Sequence, residues 1–185
     1  MVHLDPLVRM VIIPAEAAVR QPTRWAMCVI GTGILAADQV TKNLVLTLDP
    51  ASARGPASGW LTVHLIRNTG ASGGIGAAYP VVVTVAGVVI AAIAGTLALR
   101  TQSRAVALCL AAVLAGAAGN LADRVFRSPG LGRGAVVDWI HVGGSHASFN
   151  LADLAIQLGA LGAVIAMLAT RPGIRQPVRV PAELP

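Results

Sequence analysis

The chain has 185 residues, of which 55% are hydrophobic and only 12% charged, with a formal net charge of +6. Soluble domains carry about 25% charged residues, so this composition excludes an ordinary soluble enzyme and predicts an integral membrane protein. The basic surplus forms no single stripe and gives no reason to expect nucleic acid as a partner; all of it is Arg except Lys42.

Residues 1–24 are polar and Pro-interrupted, with Arg9, Arg20 and Arg24 ahead of the first apolar run, and are expected to be a cytoplasmic segment. Four stretches then reach the roughly 20 apolar residues that cross a hydrocarbon core of about 30 Å. They are Trp25–Leu48, Ala77–Leu99, Arg104–Asp123 and Asn150–Thr170. No convincing small-residue cleavage site follows the first, which therefore reads as a retained anchor. Residues 25–170 form one membrane domain, and the Pro-rich tail 171–185 reads as disordered and cytoplasmic. Cys28 and Cys109 lie in apolar runs and read as small packing residues.

Arginine accumulates before span one, in the turn between spans two and three (Arg100, Arg104), and after span four (Arg171, Arg175, Arg179). The positive-inside rule puts these on the cytoplasmic side, with both termini, and turns residues 49–76 and 124–149 outward. In the first outer loop, the loose alternation of Leu61, Val63 and Leu65 predicts a short strand lying on the membrane surface as an outward platform.

The rare polar residues then fall at one depth. Asp38 and Lys42 lie late in the first span. Asn120, Asp123 and Arg124 end the third, and Asn150 and Asp153 begin the fourth. Ionisable groups in spans are costly and face a protein interior or wet cavity, so their convergence near the outer leaflet predicts a site. Each has a structural alternative: an Asp38–Lys42 salt bridge at i,i+4 spacing, a snorkelling Arg124, and an Asn150/Asp153 helix cap. Asp138, set among Val136, Val137, Trp139 and Ile140, either caps a turn or is held in an apolar pocket. If it meets Asp153, two carboxylates at low dielectric share one proton, which leaves an acid and a base around a water.

Other chemistries fit less well. Asp138, His141 and His146 match no zinc-ligand spacing. His64 reads as a solvent-facing strand residue, Ser145 and Ser148 lack the signs of an oriented base and oxyanion donors, and Gly70–Gly74 lacks a P-loop lysine. No metal or cofactor is expected. A proton-coupled carrier using Asp38, Asp123 and Asp153 is the alternative from another class, and it requires polar residues through the full membrane depth.

In order and over most of the chain, "DQVTK" at 38–42, "RNTGASGG" at 67–74, "GNLADR" at 119–124, "VVDWI" at 136–140 and "FNLAD" at 149–153 resemble the bacterial lipoprotein signal peptidases, signal peptidase II. The resemblance implies an all-α fold of four transmembrane helices with an outward β-platform and a surface lid. It implies an intramembrane aspartyl endopeptidase of the bacterial cytoplasmic membrane that cuts diacylglyceryl-modified prolipoproteins just before the lipid-bearing cysteine. The acids of the two last motifs, Asp138 and Asp153, would be the catalytic pair. Asn68, Asn120, Arg124 and Asn150 would contact substrate or orient the pair, and Asp38, Lys42 and Asp123 would support them. The expected partners are lipid-modified prolipoproteins and membrane lipids, with the enzyme a monomer. The family usually has an aromatic where Gly73 stands and often Pro at Thr69, and the connection "HVGGSHAS" available for a lid is short. By residue logic alone, Asp123 supplies a catalytic acid as well as Asp138 does; only the family pattern selects Asp138.

Overall fold

The computed structural model describes residues 21–47, 61–143 and 148–169. The elements in chain order are α1 (Gln21–Leu46), β1 (Leu61–Asn68), a 3-10 turn (Ser72–Gly74), α2 (Pro80–Arg100), α3 (Arg104–Phe126), β2 (Val136–Val142), β3 (Ser148–Phe149) and α4 (Leu151–Ala169). The expected cytoplasmic tail and most of the expected N-terminal segment lie outside the described residues, as do 144–147 of the connection considered for a lid.

Helix ends differ from the expected spans for local reasons. α1 reaches back to Gln21, into the stretch read as an N-terminal segment. α2 starts at Pro80 rather than Ala77, because proline lacks the N–H that the first helical turn leaves unbonded and has its φ preset. α3 runs on to Phe126, so Asp123 and Arg124 are helical residues rather than the end of the span. Ser103 caps its start by accepting from the Val106 N–H.

α2, α3 and α4 are long and apolar enough to cross a membrane by length and composition. α1 is longer, at 26 residues, but does not join them: Asp38, Gln39, Thr41, Lys42 and Asn43 dilute its second half. Four apolar spans were expected; among the described residues three helices meet that test, and α1 is a fourth helix that carries Asp38 and Lys42.

α3 is the central helix and packs on α1, α2 and α4. Its buried face is built from small residues, among them Ala107, Ala111, Ala115, Gly116 and Gly119. Large apolar side chains point outward instead, as with Val85, Val89 and Ile93 on α2 and Leu161, Ile165 and Leu168 on α4. Small residues inside and bulky ones outside is the pattern of helices packed in lipid, where close backbone approach replaces the hydrophobic driving force. Gly116 makes the closest such approach on α3, with no room for a Cβ against the Ala152 carbonyl oxygen, and a Cβ at Gly119 would lie 2.6 Å from Asp38 Oδ2.

The expected strand is β1, which extends through Asn68 and pairs antiparallel with β2, from Leu61↔Val142 to Asn68↔Val136, with an irregularity between Val63 and Ile66. β2 also pairs with β3. The sequence reading left residues 136–142 as loop, yet Val-Val-Asp-Trp-Ile-His-Val is rich in the β-branched and aromatic types that suit a pleated surface. The three-stranded sheet, order β1-β2-β3, carries Asp138 on its central strand opposite Ile66.

Candidate active site

Five of the six largest fully buried side chains are polar: Lys42, Asn150, Asp38, Asp123 and Asp138. They gather where the ends of α1, α3 and α4 meet the sheet, and they form two connected groups.

The first group is ionic. Lys42 Nζ lies 2.8 Å from Asp38 Oδ2 and 2.9 Å from Asp123 Oδ2, with all three side chains fully buried. Arg127 Nε reaches Asp123 Oδ1 at 2.6 Å. Gln39 donates to Asp38, Asp123 and the Gly119 carbonyl, and the Val137 N–H donates to Asp123 Oδ2 at 3.2 Å. Two carboxylates are thus matched by two cations and several dipoles, the condition under which a buried charge is tolerated. Asp38 does more than pair with Lys42: its Oδ1 accepts the Ala152 N–H at 3.0 Å and so caps the first turn of α4 from a different helix. Gln39 and Arg127 were not singled out from the sequence. Arg127 was findable, because it stands at i+4 from Asp123.

The second group holds the two other carboxylates among the described residues, Asp138 and Asp153. Asp138 Oδ2 accepts from Asn68 Nδ2 at 2.9 Å, and its Oδ1 accepts from Asn150 Nδ2 at 2.7 Å. Asp153 Oδ1 accepts from Asn120 Nδ2 at 2.8 Å, and its Oδ2 from the Asn150 N–H at 3.3 Å. Asn150 Oδ1 in turn accepts the Asp153 N–H at 3.0 Å. The reciprocal pair is a capping box, and the same Asn150 whose oxygen caps α4 uses its Nδ2 to hold Asp138. Cap and site residue are therefore one residue.

Lys42 joins the groups. Its ammonium donates to Asn120 Oδ1 at 3.0 Å, and an ammonium can only donate, so the Asn120 oxygen faces Lys42 and its NH₂ faces Asp153. Each oxygen of Asp138 and Asp153 receives one donor, which leaves lone pairs for a proton or a water. Burial pushes Asp138 up to about 6; the hydrogen bond from Asn68 opposes this and the neighbouring Asp153 charge adds to it.

Asp123, the competing acid in the sequence reading, is engaged differently. Both its oxygens are taken by Lys42, Arg127, Gln39 and the Val137 N–H, and it does not line the cavity that Asp138 and Asp153 share. Arg124, expected to touch substrate, spends its donors on this chain's own backbone: Nη1 to the Thr69 carbonyl at 3.1 Å and Nη2 to the Gly70 carbonyl at 2.5 Å. It lines the cavity and holds the Asn68–Gly74 loop in place. Within that loop Gly73 has φ +70°, a left-handed conformation that suits glycine.

The cavity shared by Asp138 and Asp153 measures about 470 Å³ and lies between α2, α3 and α4. Val82, Val83, Ile90, Leu121 and Ile156 make most of its wall apolar. A second cavity of about 260 Å³ approaches Asp138 from the sheet side, past Arg67, Thr69 and Ser148. His64 is exposed, as expected. His141 Nδ1 lies 3.1 Å from Ser148 Oγ, a cross-strand pair, while Ser145 and His146 lie outside the described residues. Among the described residues no three His, Cys, Asp or Glu side chains form a metal-binding group.

Residues 30–169 match the family described as Signal peptidase (SPase) II. Among curated relatives, a lipoprotein signal peptidase of Streptomyces griseus is 44% identical over 106 residues, 57% of this chain and 54% of that protein. One from Streptomyces coelicolor is 43% identical over 57% and 52% of the two chains. This chain thus spans about half the length of these Streptomyces relatives. One from Rhodococcus jostii is 35% identical over 88% of this chain and 87% of that one. A solved bacterial membrane enzyme shares the fold with a TM-score of 0.68 at 23% identity, over 81% of this chain and 93% of that one. The matched segment contains every helix from residue 30 onward and all the site residues described above, and the chain belongs to the signal peptidase II family.

Proposed function

We propose that this protein is an intramembrane aspartyl endopeptidase that removes the signal peptide from diacylglyceryl-modified prolipoproteins, cutting just before the lipid-bearing cysteine. The observation that carries this reading is that Asn150 binds both Asp138 and Asp153, and that both acids line one largely apolar cavity.

The catalytic pair holds a water between its carboxyls. The ionised member takes the water's proton as the oxygen attacks the scissile carbonyl; the protonated member polarises that carbonyl and then gives its proton to the leaving amine. Burial and the neighbouring Asp153 charge raise Asp138 to about 6, so the one-proton state of the pair is held up to about that pH, well above the ordinary carboxylate range. Asn68, Asn120 and Asn150 orient the carboxyls, and Lys42 sets Asn120. Arg124 acts by holding the loop that presents Asn68.

All four helices span the bilayer in this reading. α1, at 26 residues, is about 39 Å long, ample for a crossing, with its polar residues turned to α3 rather than to lipid. The arginine distribution favours both termini in the cytoplasm and the catalytic pair near the outer face, beside the sheet. The enzyme works as a monomer. Substrate acyl chains stay in lipid or the apolar cavity while the signal helix lies among the spans, so depth is part of specificity.

The test is processing in cells. Asp138→Asn and Asp153→Asn each give a folded membrane protein and an accumulation of lipidated, uncleaved precursor on a gel. Normal maturation with either variant overturns the assignment.

A further inference from the structure

Apart from Asp153, Gln157 is the one polar side chain in α4, whose sequence is otherwise Leu, Ala, Ile, Gly, Val and Met. It stands four residues after Asp153, on the same face and one turn deeper. It is exposed, it lines the apolar cavity beside Ile156, and its side chain makes no hydrogen bond among the described residues. An unpaired carboxamide at such a depth costs free energy unless something supplies partners. The three other carboxamides near the dyad, Asn68, Asn120 and Asn150, are all spent on Asp138 and Asp153. Of these four carboxamides, Gln157 is the one that keeps both its donor and its acceptor free among the described residues.

A peptide bond inside a helix is inaccessible to a carboxyl pair, so the substrate must unwind around the cut. Each unwound peptide unit then shows an N–H and a C=O that an apolar cavity cannot satisfy. One carboxamide matches one such unit, donor to acceptor and acceptor to donor.

We propose that Gln157 is a positioning residue that pairs with a backbone peptide unit of the unwound substrate, on the signal-peptide side of the scissile bond. This rests on the peptidase reading above. The side follows from depth: the signal peptide runs inward from the dyad, as α4 does, while the mature chain leaves outward.

The experiment measures kcat/KM of the full-length enzyme in lipid nanodiscs, wild type and Gln157→Leu, on a lipidated precursor peptide. A set of analogues replaces the backbone N–H with an ester oxygen at each of the four residues before the cysteine in turn. Leucine is at home in a span, and equal thermal midpoints establish that the variant is folded. Gln157→Leu lowers kcat/KM roughly tenfold on the native peptide, as expected for one desolvated hydrogen-bonding pair. At one ester position the wild type loses a similar factor, and the variant loses nothing further. Native-like cleavage by the variant, or losses that multiply in full at every position, overturns the role of Gln157 alone. A wild-type enzyme that leaves the native peptide uncut overturns the peptidase reading and this role with it.

Discussion

Replacing Lys42 by Met keeps the length of the side chain and removes one charge from a closed group. Asp38, Asp123, Lys42 and Arg127 sum to zero, and Lys42 Nζ touches both carboxylates within 2.9 Å at full burial. Without it, Asp123 keeps Arg127 while Asp38 keeps only neutral dipoles, Gln39 and the Ala152 N–H. Breaking a buried pair by removing one partner costs about 3–5 kcal/mol, because the survivor stays buried and uncompensated. Lys42→Met is therefore expected to lower the unfolding free energy by that amount. Adding Asp38→Asn restores neutrality and leaves an oxygen that still accepts from Ala152, so the double variant should regain at least half of the loss. Denaturant titration in mixed micelles of fixed composition, run on both single variants and the double, measures each term. Two results refute the reasoning: a cost below about 1 kcal/mol for Lys42→Met, as for an exposed pair, or single-variant costs that add within about 0.5 kcal/mol, as for independent sites.

Four further outcomes are expected. Asn68→Ala removes a donor to the ionised form of Asp138, so its pKa rises beyond about 6 and the basic limb of kcat/KM moves to higher pH; an acid shift contradicts the assignment of that limb to Asp138. Gly119→Ala puts a methyl 2.6 Å from Asp38 Oδ2 and should cost about 1–3 kcal/mol in the same titration. Gly33→Ala, with nothing within 4 Å of its Cβ, should be neutral or stabilising by up to about 1 kcal/mol. Arg124→Lys cannot reproduce a two-pronged grip on the Thr69 and Gly70 carbonyls, so amide hydrogen exchange across Gly70–Gly74 should accelerate; unchanged protection would show that the loop holds itself.

These predictions differ in how much of them the sequence announces. Apolar runs longer than a bilayer is thick have few other uses, so spans equivalent to α2, α3 and α4 were legible from composition alone. That Asn120, Asn150 and Asp153 would come together with Asp123 close by was legible too, because a polar residue in a span is too costly to occur without a partner. The i,i+4 pairing of Asp38 with Lys42 and the Asn150 cap followed from helix geometry.

Partnership across long separations was not legible. Asp38 capping α4 at Ala152 joins residues 114 apart, and Asn68 holding Asp138 joins residues 70 apart; no local periodicity encodes either. β2 escaped notice because a short β-branched run with an acid in it reads equally as loop until its partner strand is known. The choice between Asp123 and Asp138 is the clearest case. In sequence Asp123 ends the third span and Asp138 lies in the second outer connection, and residue logic alone does not choose between them. Only the packed structure gives Asp123 two cations and two further donors while leaving Asp138 with asparagines and a cavity. The sequence by itself determined that carboxylates would gather at one end of the helices, since that follows from the cost of charge in lipid; which of them is paired with cations and which is left with asparagines beside a cavity depends on what the fold brings within hydrogen-bonding reach.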